Sequence, residues 1–88
     1  MSEPDDPFEF PTSFPIKAMG RDTPVFQQVV IDLVAAHAEF NSETDVRVQA
    51  SKNGNFLSVT VTFNATSREQ LDTIYQSLND HDDILMVF

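Results

Sequence analysis

From Ser13 onward the apolar side chains fall on alternate positions: Phe14, Ile16 and Ala18 on one side of an extended chain, Ser13, Pro15, Lys17 and Met19 on the other, with Gly20 as the exit. A period of two is that of a strand with one buried face. Proline has no N–H to give to a ladder, so regular pairing is expected only from Ile16. The period then changes. Phe26, Val29, Val30, Leu33, Ala36 and Phe40 recur at three- and four-residue steps, and Gln27, Gln28, Asp32, His37 and Glu39 take the remaining face. That spacing predicts an amphipathic helix. Thr23 and Pro24 have the form of its cap and first residue. Its expected end near Asn41 and Ser42 gives it roughly four and a half turns, long enough to cross back over a sheet.

Alternation returns at Val46, Val48 and Ala50, set between Arg47, Gln49 and Ser51. After SKNGNF it resumes at Leu57, Val59, Val61 and Phe63, set between Ser58, Thr60, Thr62 and Asn64. Asn53 and Gly54 are the pair best able to take positive φ together, which predicts a type I′ hairpin turn and antiparallel pairing. Thr66 and Glu69 have capping-box spacing ahead of the apolar stripe Leu71, Ile74, Tyr75 and Leu78, a second helix. After the polar break NDHDD, Ile84 to Phe88 has the length and composition of a last strand. Under strict alternation that strand leaves apolar side chains uncovered: if Leu85 and Val87 face the helices, Ile84, Met86 and Phe88 face out. The order βαββαβ is the split arrangement called ferredoxin-like. It predicts an α+β sandwich, a four-stranded antiparallel sheet with two helices on one face.

Composition narrows the function more than the fold. Eighty-eight residues suit one domain, and a chain of that size buries roughly 60 to 65% of its unfolded surface. We place that domain at residues 10–88, behind an acidic tail over residues 1–9 broken by Pro4 and Pro7. Fourteen acidic residues against five basic ones give a net charge of −9, which repels a phosphate backbone and argues against nucleic acid as a partner. Cysteine is absent, so the core must hold without disulfides or a cysteine zinc site. Polar residues interrupt the apolar run from Val25 to Phe40, so no membrane span is expected. The acidic start is unlike a secretory signal, and we expect a cytoplasmic protein. Two glycines, Gly20 and Gly54, cannot make a dinucleotide fingerprint or a P-loop.

Three separated stretches, EFPTSFPIKAMG, SKNGNFLSVTVTFNATSREQL and the closing ILMVF, resemble the YbeD-like family of small bacterial proteins. The likeness runs from about Phe10 to Phe88. It is carried by Phe10, Pro11, Phe14, Lys17, Met19 and Gly20, by Lys52, Gly54, Asn55, Phe56, Ser58 and Val59, and by Ala65 and Thr66. The acidic leader, Pro15 and Asn53 depart from the family pattern. The resemblance implies a ferredoxin-like fold similar to ACT-type regulatory domains, which bind amino acids or related metabolites. It implies no catalytic residues, and a metabolic accessory role.

Candidate chemistry is sparse. Lys17 and Arg47 fall by alternation on the sheet face opposite the helices, near Ser58, Thr60 and Thr62. With Lys52 they are three of the five basic residues. Either they are solvated side chains that offset the acidic excess, or they receive an anion or an acidic partner. Met86 belongs to the apolar strip of the last strand, which a protein partner, a second copy or the tail's Phe8 and Phe10 would cover. His81 among Asp80, Asp82 and Asp83 reads as a solvated turn, since adjacent loop residues rarely converge on one ion. His37 reads as packing or surface. Ser51 and Ser58 have no base partner, so nucleophilic catalysis is unsupported and no cofactor is called for. The leading expectation is a non-enzymatic accessory or adaptor protein contacting a protein partner, or itself, through the open face at Lys17, Arg47, Lys52, Ser58 and Met86. The alternative is an ACT-like regulatory module holding a small-molecule ligand near Gly20 to Thr23 and an adjacent subunit.

Overall fold

The computed structural model describes residues 9–88. Of the expected acidic tail it includes Glu9, which is exposed and outside any strand or helix; the rest of the tail, with Phe8, lies outside the described residues. The elements run β1 (Thr12–Arg21), α1 (Phe26–Ala35), β2 (Val46–Ala50), β3 (Phe56–Ala65), α2 (Arg68–Asn79) and β4 (Ile84–Val87). All neighbours in the sheet are antiparallel, in the order β2-β3-β1-β4. This is the ferredoxin-like architecture, and its buried residues come from the predicted periodicities. Ile16, Ala18, Val59, Val61, Phe63 and Ala65 line one face of the sheet; Phe26, Val30 and Val34 of α1 and Leu71, Ile74 and Leu78 of α2 close over it. Among the described residues no polar or charged side chain is buried. Cohesion therefore comes from apolar burial, at roughly 1.5–3 kcal/mol for each large side chain fully removed from water.

Pairing of β1 with β3 begins at Thr12 against Ala65, not at Ile16, and continues through Pro15 against Thr62. The reason lies on the other side of β1. Lys17 exchanges both backbone bonds with Phe88 (3.3 and 2.8 Å), and residues two apart point their N–H the same way. Pro15 therefore directs its missing N–H past the end of the β4 ladder, where none is needed. Gly20 is inside the strand, opposite Ile84, rather than at its exit. It has no positive φ. A side chain there would run into the Phe26 ring and the Asp83 carbonyl oxygen.

Both helix starts differ from expectation. α1 begins at Phe26 with no side-chain cap, and Thr23 with Pro24 forms a turn before it, closed by Phe26 N–H to Thr23 O at 3.3 Å. It ends at Ala35, so Phe40 reaches the core from the connection beyond the helix, where Asn64 N–H meets Glu39 O at 3.4 Å. At α2 the cap is one residue later than Thr66, and its glutamine reaches the residue before the cap rather than closing a reciprocal box. Ser67 Oγ accepts from Gln70 N–H (3.1 Å), and Gln70 Oε1 accepts from Thr66 N–H (2.7 Å). The same glutamine donates Nε2–H to His37 O (2.8 Å), tying the start of α2 to the end of α1.

The hairpin turn is also corrected. Ser51 N–H bonds Phe56 O (2.9 Å) and Gly54 N–H bonds Ser51 O (3.0 Å), which leaves residues 52–55 as the loop; of these only Gly54 has positive φ, at 72°. A type I′ turn needs two such residues. Finally, β4 keeps neither parity. Ile84 pairs with Gly20 but Met86 with Met19, so Leu85 is an extra residue, a bulge. Ile84 and Val87 thus both reach the core, while Leu85 (52%), Met86 (48%) and Phe88 (54%) are exposed.

Candidate open-face docking site

The sheet face away from the helices is a lattice set by register. One row runs Arg47, Thr60, Lys17, Phe88 across the four strands, and the next runs Gln49, Ser58, Met19, Met86. Neighbouring strands are about 4.8 Å apart, which sets the Arg47 and Lys17 Cα atoms at about 10 Å. Lys17 Nζ stands 5.6 Å from the centre of the Phe88 ring. An exposed cation over a ring is worth roughly 0.5–1 kcal/mol and holds both groups at the same spot. Ser58 Oγ donates to Gln49 O at 3.5 Å, a structural bond. Beyond Thr60 a hollow of about 620 Å³ opens over Pro15, Thr44, Asp45, Arg47 and Thr62.

Four of the five sequence-chosen residues are therefore brought together: Lys17 and Arg47 in one row, Ser58 and Met86 in the next. Lys52 is not. It lies in the hairpin loop, off the ladder, because the turn is four residues long rather than two. Phe88 completes its row, and Leu85 is exposed at the rim of the hollow at the end of β4. Phe88 pairs with Lys17 through β4, and Leu85 is turned out by the bulge, a contact and a kink that alternation does not register. Phe10 packs against the core. The histidines serve elsewhere: His37 Nε2 lies 3.4 Å from Ser77 Oγ, and His81 Nδ1 accepts from Asp83 N–H at 3.1 Å. On the helix side of β4 the Tyr75 hydroxyl donates to Phe88 O at 3.4 Å, and burial raises its pKa above the ordinary tyrosine value.

A second, smaller hollow of about 190 Å³ lies where β1 enters α1 and α2 enters β4, lined by Arg21, Thr23, Phe26, Asp82, Asp83 and Leu85. The topology brings those two connections to one end of the sheet. Asp82 and Asp83 thus join the region around Gly20 to Thr23, although in sequence they read only as a solvated turn.

The fold and its bare, lysine- and arginine-bearing sheet face define a ferredoxin-like α+β domain with one side open for contact. Over the described residues no helix is long and apolar enough to cross a membrane. Residues 5–88 match the family described as "Protein of unknown function (DUF493)", and the chain belongs to that family, the YbeD-like small bacterial proteins. The UPF0250 protein of Nitrosomonas europaea is 44% identical over 79 residues, spanning 90% of this chain and 91% of the relative. That of Chromobacterium violaceum is 45% identical over 80 residues, spanning 91% and 90%. The solution structure of protein HP0495 from H. pylori shares the fold, with a TM-score of 0.73 at 15% identity over 100% of this chain and 93% of that one.

Proposed function

We propose that this protein is a non-enzymatic accessory protein of the cytoplasm that binds an acidic, partly apolar protein surface through its open sheet face. The observation that carries the reading is the row from Arg47 to Phe88, with Lys17 held over the Phe88 ring and exposed Met86 in the neighbouring row. Cations at a fixed spacing attract carboxylates, and the adjoining apolar side chains gain by leaving water. The basic side chains stand out because the chain as a whole carries a charge of −9. Among the described residues no nucleophile with a base partner lies on this face, which is why binding is preferred to catalysis. Affinity capture from native extract, with the wild type and with Lys17→Glu/Arg47→Glu as baits, tests it. We expect the charge-reversed bait to lose the wild type's partners; equal recovery from both rejects the face.

The hollow beside Gly20 supports a second reading, an ACT-like regulatory module. Arg21 suits a carboxylate, Asp82 and Asp83 suit an ammonium, and Phe26 and Leu85 offer an apolar wall, together the groups of an amino acid. A thermal-shift series with amino acids and lipoate-related acids separates the readings, because a ligand at 100 times its Kd adds about 2.7 kcal/mol to stability. Stabilisation by an amino acid that Arg21→Ala abolishes favours the sensor.

A further inference from the structure

β2 lies at one margin of the sheet. Asp45 O accepts from Thr62 N–H (2.9 Å) and Ser51 N–H donates to Phe56 O (2.9 Å), so by alternation the ladder to β3 uses Asp45, Arg47, Gln49 and Ser51. The N–H and C=O groups of Val46, Val48 and Ala50 then point away from β3, along the outer edge. The helix-side face of the strand is bare too. The helices pack over β1, β3 and β4, leaving Val48 40% exposed and Ala50 exposed. Folded proteins usually blunt such an edge with a proline, a bulge, a short strand or a covering loop. β4, the opposite margin, has four residues and a bulge at Leu85. β2 is a regular five-residue strand, VRVQA, with neither proline nor bulge.

We propose that β2 pairs antiparallel with β2 of a second copy of this chain, about a two-fold axis at Val48, joining two four-stranded sheets into one of eight. The side chains select that register. An axis at Arg47 sets two guanidinium groups directly opposite each other, an unfavourable cross-strand pair. An axis at Gln49 sets Val46 opposite Lys52. The axis at Val48 sets Val48 against Val48 of the copy, Val46 against Ala50 and Arg47 against Gln49. Exposed Val48 is then covered, and the turn carrying Glu43 and Asp45 is turned towards Lys52 of the copy. A five-residue seam is small beside the roughly 1,200 Å² that stable complexes bury, so the pairing is reversible and depends on concentration. The row from Arg47 to Phe88 stays accessible on the face, so the pairing does not depend on the docking reading.

The chain has no cysteine, so Val48→Cys introduces a single thiol. In this register the two Cα atoms at position 48 lie about 5.5 Å apart, within reach of a disulfide, whereas those at position 46 are more than about 13 Å apart. We expect Val48→Cys to oxidise to a covalent dimer much faster than Val46→Cys. Light scattering of the wild type at millimolar concentration is expected to give a mass above that of the monomer. Val48→Pro removes only an outward N–H, and by symmetry two bonds of the seam. With circular dichroism confirming the fold, it is expected to weaken association at least ~10-fold. A monomer at millimolar concentration, equal cross-linking at positions 46 and 48, or a dimer indifferent to Val48→Pro but lost with Met86→Asp overturns the proposal.

Discussion

Replacing Gly20 with alanine adds one methyl group, and two opposing effects set its sign. Removing a glycine from a strand restricts the unfolded chain and by itself stabilises by about 0.4–1 kcal/mol. Against this, the new Cβ meets the ring of Phe26, which is 1% exposed, and the backbone oxygen of Asp83. The ring is held between sheet and helix, and the oxygen belongs to the turn that feeds the β4 bulge, so neither moves alone. Overpacking in a full core costs about 1–3 kcal/mol, occasionally more. With backbone as one of the two obstacles we expect a net loss of about 2–3 kcal/mol. At about 0.05–0.15 kcal/mol per residue a chain of this size holds about 4–13 kcal/mol in all. The loss is therefore a large share, seen as a fall in Tm of about 8–24 °C. Urea unfolding of Gly20→Ala measures it, and Phe26→Leu in the same background should return part of the loss, a coupling of about 1 kcal/mol or more. A Gly20→Ala protein as stable as the wild type, or more so, would refute the packing argument, since chain entropy alone would then account for the residue.

Ser67→Ala removes the oxygen that accepts from Gln70 N–H and should cost about 1 kcal/mol in urea unfolding, more than Thr66→Ala; the reverse order would place the cap at Thr66. Burial raises the pKa of Tyr75, so the folded protein holds the phenolic proton more tightly than the unfolded chain. Its contribution is complete below the unfolded value of about 10 and is lost as the pH rises through the folded value. Because the chain has one tyrosine, tyrosinate absorbance reads this group alone. Its midpoint should lie above that of the urea-unfolded chain, and Tyr75→Phe should flatten this part of the alkaline decline in Tm.

Apolar spacing predicts all six elements, their order and most of the buried side chains, because periods of two and of three to four report which face of an element leaves water. What it misread lies at junctions. Phe40 falls in phase with α1 yet packs from beyond its end. Ser67 rather than Thr66 caps α2, and Gln70 rather than Glu69 takes the Thr66 N–H. Leu85 is displaced by a bulge, so two neighbouring phases of β4 both reach the core. For the open face, alternation is enough to place Lys17, Arg47 and Ser58 on one side of the sheet. Seating Lys17 over Phe88 takes the pairing of β1 with β4.

Local pattern by itself determined that this chain forms an α+β sheet-and-helix sandwich and which stripes it buries, since burial follows from the side chains of each segment taken alone. Tertiary structure alone decided what stands next to what: the row from Arg47 to Phe88, the meeting of Arg21 with Asp82 and Asp83, and the bare edge of β2. Those depend on register and on which strands the helices cover. Both are long-range choices, settled by backbone pairing and packing between residues far apart in sequence.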